Sequence, residues 1–194
     1  HRRQRQMCIR DSLYIYDDLD LLASVNSDIL DRNIPQNLKS PENKWFALSK
    51  RSRIIVTSKD RVKEGQITKI EDLADEQWKD RVCSRPGSHV YNRAIMASLI
   101  LSLGEKAAEE WAKKFVGNLA RRPQGNDRAQ VKAIFEGQCD ISIINNYYFG
   151  KLKYSDDPSQ REWAKSVRLI FPNQGAEDRG CLLYTSDAAD DVVG

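Results

Sequence analysis

Residues 80–172 predict an α/β domain, on three observations. Short β-branched runs recur as RVCS at 81–84, DISII at 140–144 and VRLIFP at 167–172. Gly, Pro or polar residues bound them, as at buried strands. The segments between them are long enough for helices and carry apolar residues at helical spacing, so strand and helix alternate, which points to a largely parallel sheet.

Taken in order, Leu13 and Ile15 alternate with polar residues before a helix-like LDLLASVNSDIL, which Pro35 and Pro41 end. Residues 45–48 and 53–57 read as strands separated by polar 49–52, and 59–66 as a charged link. Thr68 is placed to cap a helical turn in KIEDLADEQW, and Trp78 reads as core. After the strand at 81–84, the Pro- and Gly-containing loop RPGSHV leads to a strongly apolar helix from Tyr91 to Leu103, stopped by Gly104. Residues 105–120 form an amphipathic helix with Ala108, Trp111, Ala112, Phe115 and Leu119 on one face. Asp127 is placed to cap a helix over 128–136 that ends before Gly137. The strand at 140–144 leads to a helix from about Tyr148 to Tyr154, and Pro158 begins another ahead of the strand at 167–172. Residues 80–166 suffice for one lobe, whereas 13–58 make only part of another.

Both ends read as foreign. Residues 2–12 can be encoded by the transposon adapter used in sequencing libraries, and 181–190 match its reverse complement. Residues 1–12 and 181–194 are therefore expected to be adapter-derived and set aside from fold reasoning, with natural sequence from about Leu13 to Gly180. Four of the 31 Lys and Arg and four of the 28 Asp and Glu lie in those flanks, so the natural part keeps the net charge of +3. That mild excess argues for no polyanionic partner such as nucleic acid. Of the four cysteines, Cys83 and Cys139 remain, either bonded in an oxidising compartment or as two buried thiols. No run of 18 apolar residues exists to span a membrane, and a signal peptide cannot be judged from these ends.

The chemistry gathers after the strand at 140–144, in NNYYFG. A phenolate is a hard oxygen donor suited to ferric iron, yet tyrosine has an ordinary pKa of about 10, so only a strong local positive charge makes the anion available at neutral pH. Adjacent strand residues face opposite ways. Tyr147 and Tyr148 can therefore converge only if the chain has already left the strand; otherwise one is buried and one exposed. Tyr91 opens a helix after the neighbouring strand and reaches the same edge if the two strands are parallel, or else staples its own loop. Gly87–Ser88 before that helix offer donors to a small anion, or Ser88 is an N-cap. His89, the one histidine of the natural part, is a further candidate ligand or a packed side chain. A single histidine leaves no basis for a His-rich zinc site or a Ser-His-Asp triad, and no phosphate-binding glycine fingerprint occurs. No catalytic acid, base or nucleophile is well placed in this crevice, so an enzyme is not the expected reading.

With INNYYFGKL, SHVYNRAIMASLI, EDLADEQWKDRVC, GEKAAEEWAKKFVGNLARRPQGNDRAQVKAI and VRLIFPNQG in view, the chain resembles the periplasmic ferric-iron-binding proteins of bacterial iron ABC transporters over nearly all of Leu13 to Gly180. The resemblance implies a type-2 periplasmic-binding-protein fold of two α/β lobes closing over Fe3+, here one near-complete lobe plus part of the second. It implies a partial first lobe and crossing strand at 13–58, the second lobe at 59–166 and a return crossing strand at 167–180. Tyr147 and Tyr148 then ligate iron, Tyr91 joins them as in one branch of the family, and Asn145 lies on the side of a small synergistic anion, for which the loop already offers Ser88. The implied partner is an inner-membrane ABC permease, the location periplasmic and the state monomeric. Further first-lobe ligands are implied outside this sequence, so the chain by itself is expected to bind iron weakly. The alternatives are a binding protein for another small anion or a polyamine, or a sensor domain of the same fold.

Overall fold

The computed structural model describes residues 16–48, 50–174 and 185–186. The expected adapter-derived flanks lie outside the described residues except for Thr185 and Ser186, as do Leu13, Ile15 and residues 175–180. Two units are distinguished, residues 1–51 with 184–194, and residues 52–183.

In the first unit the helix α1 spans Asp28–Asn33, with the Ser27 hydroxyl accepting the Leu30 N–H at 3.4 Å as its cap. It is much shorter than the expected helix, because residues 21–27 are not helical. The expected strand at 45–48 is reduced to one antiparallel bridge between Lys39 and Phe46. Lys44 meets the carboxylates of Asp17, Asp20 and Glu42, and Trp45 donates to Asp17 at 3.2 Å. Strand β1 (Lys50–Arg51) pairs antiparallel with Thr185–Ser186.

In the second unit the elements follow as β2 (Arg53–Ser58), β3 (Val82–Cys83), α2 (Val90–Leu103), α3 (Glu105–Gly117) and α4 (Asp127–Phe135). Then come β4 (Ile141–Asn145), α5 (Asn146–Lys153), α6 (Pro158–Ser166) and β5 (Val167–Ile170). The four strands form one sheet in the order β3-β4-β2-β5.

This sheet is mixed, which corrects the expected largely parallel arrangement. β3 and β4 are parallel, but β2 runs antiparallel to both β4 and β5. β3, β4 and β5 thus share one direction, with β2 inserted against them. The helical crossovers that separate β3, β4 and β5 permit parallel strands. β2 precedes that alternating run, so no crossover fixes its direction.

Side chains alternate between the faces of the sheet. Ile55, Val82, Ile141 and Ile143 join a core with Ile70, Leu73, Trp78, Ile95, Leu99 and Trp111. Ile54, Val56, Cys83 and Ile144 join the other, with Val131, Ile134, Leu152 and Ala164. A sheet covered on both faces needs continuous apolar strands, hence RIIV in β2 and the isoleucines of β4. The 3-10 turns Glu71–Ala74 and Glu76–Trp78 replace the expected helical turn. Asp72, not Thr68, is the acceptor there, taking the Thr68 and Lys69 N–H groups at 2.7 and 2.9 Å. Trp78 is fully buried, as expected of it. Cys83 and Cys139 are disulfide-bonded with Cα atoms 5.8 Å apart, which decides the open cysteine question and ties the end of β3 to the residues entering β4.

Candidate metal centre

The edge of the sheet where β3 and β4 end is also where antiparallel β2 begins, with Arg53 opposite Asn145. β4 ends at Asn145, and α5 starts at the next residue. Tyr147 and Tyr148 therefore lie on the first turn of a helix, not on a strand, and need not point to opposite faces. Their ring centroids are 4.4 Å apart with planes 33° off parallel. The entry to α5 is fixed by Asn146, whose backbone N–H donates to the Ser52 carbonyl at 3.0 Å while its Oδ1 accepts the Ser52 N–H at 3.1 Å.

Tyr91 arrives from the neighbouring parallel strand as the second residue of α2. Its hydroxyl is 3.4 Å from that of Tyr147 across 56 residues of sequence. The ring of Tyr91 is buried, whereas Tyr147 and Tyr148 are half-buried. All three tyrosines singled out in the sequence thus meet at one edge.

The other candidates are placed less uniformly. His89, not Ser88, caps α2, its Nδ1 facing the Tyr91 N–H at 3.2 Å. Its Nε2 lies 2.8 Å from Arg85 Nη2. A neutral imidazole has one acceptor nitrogen, so only one of these N–H groups is accepted, and both ring nitrogens are already faced by protein donors. Ser88 is exposed on the loop. Asn145 is fully buried, accepts from Arg53 at 3.3 Å, and its side-chain N–H2 has no hydrogen-bond partner among the described residues. Among the described residues no three His, Cys, Asp or Glu side chains cluster to hold a metal ion.

Beneath the tyrosines lies a charged group absent from the sequence-based site. Asp127 was expected to cap α4, but Asn126 caps it, accepting the Ala129 N–H at 3.0 Å. The Asp127 carboxylate instead turns inward, fully buried, to Arg53 at 2.8 Å, Arg85 at 3.0 Å and the Asn145 N–H at 2.7 Å. Both guanidiniums stand against the Tyr91 ring, 5.3 Å (Arg53) and 4.9 Å (Arg85) from its centroid. Two cations on one carboxylate leave a net positive charge, and Arg53 Nε and Arg85 Nε are buried without hydrogen-bond partners among the described residues. An arginine opening an otherwise apolar strand, RIIV, was the available sequence signal.

Burial pushes the Tyr148 phenol well above its ordinary range; a hydrogen bond to Tyr147 and the charges of Tyr147 and Asp127 push the same way, and Arg85 opposes them. Tyr148 is therefore a neutral phenol at pH 7 until something displaces its proton.

A family model of bacterial extracellular solute-binding proteins matches residues 11–177. The chain belongs to that family. Iron uptake protein A1 of Synechocystis sp. is 46% identical to this solute-binding protein over 166 residues, 86% of this chain and 46% of that one. A Trichodesmium protein (IdiA, FutA) solved in complex with iron and citrate matches with a TM-score of 0.78 at 42% identity, over 84% of this chain and 51% of that one. Apo FutA2 from Synechocystis matches with a TM-score of 0.82 at 38% identity, over 91% and 55% of the two chains. The chain thus has the α/β fold of type-2 periplasmic binding proteins, as the resemblance implies. It spans about half the length of the relatives it matches.

Proposed function

We propose that the protein containing this chain is the solute-binding component of an iron ABC transporter, holding Fe3+ through the phenolates of Tyr91, Tyr147 and Tyr148. One observation carries the reading: the Tyr91 and Tyr147 hydroxyls, from two parallel strand ends, meet at 3.4 Å, with the Tyr148 ring against that of Tyr147. Hard phenolate oxygens suit a hard trivalent cation, and the relatives named for iron uptake or solved with iron support iron as the cargo. Residues 59–166 act as the second lobe, 13–58 as part of the first, and residues 53–58 and 167–172 as strands crossing between them. The remaining coordination positions fall to first-lobe residues and to a small anion. Asn145 and Ser88 are assigned to that anion's side, Asn145 Nδ2 being without a hydrogen-bond partner among the described residues. The protein is periplasmic, acts as a monomer and delivers iron to an inner-membrane permease; it performs no catalysis.

The full-length protein titrated with ferric citrate tests this. Tyrosinate-to-iron charge transfer should give a visible absorption band, and Tyr147→Phe and Tyr148→Phe should each sharply lower the affinity. Unchanged titrations in both variants would dispose of the site. Binding of an anion or polyamine without a visible band would favour a different cargo.

A further inference from the structure

Asp127 joins three elements with one carboxylate. Arg53 reaches it from β2, Arg85 from the loop between β3 and α2, and the Asn145 N–H from the end of β4. The last contact fixes the residue immediately before the helix of Tyr147 and Tyr148. The first two fix the guanidiniums that lie against the Tyr91 ring. Arg53 adds bonds to Asn145 Oδ1 at 3.3 Å and the Ile143 carbonyl at 3.0 Å, so it too grips the end of β4.

Neither capping nor packing requires this arrangement. Asn126 already caps α4, and apolar side chains of similar volume commonly stabilise a fold as well as a buried ion pair does. What the charged group supplies is a defined spacing: planar guanidiniums accept few orientations on a carboxylate.

We propose that Asp127, Arg53 and Arg85 are positioning residues of the iron site, holding Tyr91 in reach of Tyr147 and Tyr148 so that the three phenol oxygens face one point. The proposal rests on the ferric-iron reading above. Groups that orient metal ligands typically contribute about 10–100-fold to affinity, and that is the loss expected for Asp127→Asn and Arg85→Met. Arg85→Lys, which keeps the charge but not the planar fork, should restore only part of it.

The test is a double-variant cycle in the full-length protein, with Fe3+ titrated against citrate as competitor. If Asp127 acts through Tyr91, Asp127→Asn alters the visible band as Tyr91→Phe does, and the Tyr91→Phe/Asp127→Asn protein binds no more weakly than Tyr91→Phe alone. Losses that simply add, with an unaltered band, would overturn the proposal. A second measurement needs no iron: fluorotyrosine at position 91 followed by 19F NMR. Arg85→Met and Arg85→Lys should shift its resonance, and an unmoved line in both would also overturn it. Should the unsubstituted protein give no visible band while its fluorotyrosine line does shift in the variants, the iron reading fails and the positioning of Tyr91 stands. If Asp127→Asn does not fold, the two Arg85 variants carry the cycle.

Discussion

Tyr148 shows how one side chain couples burial to two opposite pH dependences. Its folded-state pKa is raised, foremost by burial, so the proposed ligation of iron would have to displace a proton that the site holds tightly. Affinity for Fe3+ should therefore fall as pH is lowered, with protons released on binding; citrate competition at stepped pH measures it, and a flat profile would count against phenolate ligation. Stability runs the other way. The unfolded tyrosine ionises near its ordinary value of about 10 while the folded phenol still holds its proton, so the folded state binds more protons and loses stability as pH rises from there. Tyr148→Phe should lessen that alkaline loss, as denaturant unfolding at rising pH would register; equal slopes in both proteins would show that burial does not set the phenol. Asp127 teaches the complementary lesson. Its place at a helix start reads as a cap in the sequence, but Asn126 takes that role, and the Asp127 carboxylate is drawn instead to two arginines.

The elements that carry the site are held together covalently as well as by the sheet. Cys83 closes β3, and Cys139 lies two residues before β4, so their disulfide binds the two parallel strands that launch Tyr91 and the tyrosine pair. Opening a loop of 56 residues releases unfolded-chain entropy worth roughly 4 kcal/mol in the loop-closure model. Reduction, or Cys83→Ser with Cys139→Ser, should lower the unfolding free energy by a loss of that order, read from denaturation with and without reductant. A change under about 1 kcal/mol would place the stabilisation elsewhere. The same strands show what element-level reading reaches. The isoleucines of β4 and the RIIV run of β2 announced buried strands. The direction of β2 was not legible, because apolar runs look alike whichever way the strand is paired.

At the scale of the molecule, the second unit is three layers thick, with α2 and α3 over one face of the sheet and α4, α5 and α6 over the other. α2 is apolar nearly all round, yet its residues meet different fates: Leu99 is 1% exposed in the core, whereas Leu101 is 89% exposed. Leu99→Ala should cost about 2–5 kcal/mol through lost burial and a cavity. Leu101→Lys should change stability by no more than about 0.5 kcal/mol, which thermal unfolding would check. A large cost for Leu101→Lys would mean that this face is packed in solution. Among the described residues no helix is long and apolar enough to cross a membrane, in keeping with the apolar content of α2 lying partly in a core.

Local pattern determined the alternation of strands and helices, the buried tryptophan, the helix-ending glycines at 104 and 137, and the polar turn after β4 where the chemistry gathers. These follow from nearest-neighbour periodicity and turn stereochemistry, which any stretch of about ten residues carries. The meeting of Tyr91 with Tyr147 was legible only on the condition that their strands were parallel, and the structure meets that condition. The Arg53–Asp127–Arg85 cluster was beyond local reading. Its contacts span 74 and 42 residues of sequence, and they exist because β2 enters the sheet beside β4 and brings a charged residue to the same edge. Burying such a charge is unfavourable without partners, so tertiary pairing, not propensity, decided where those three residues would meet and how the tyrosines stand above them.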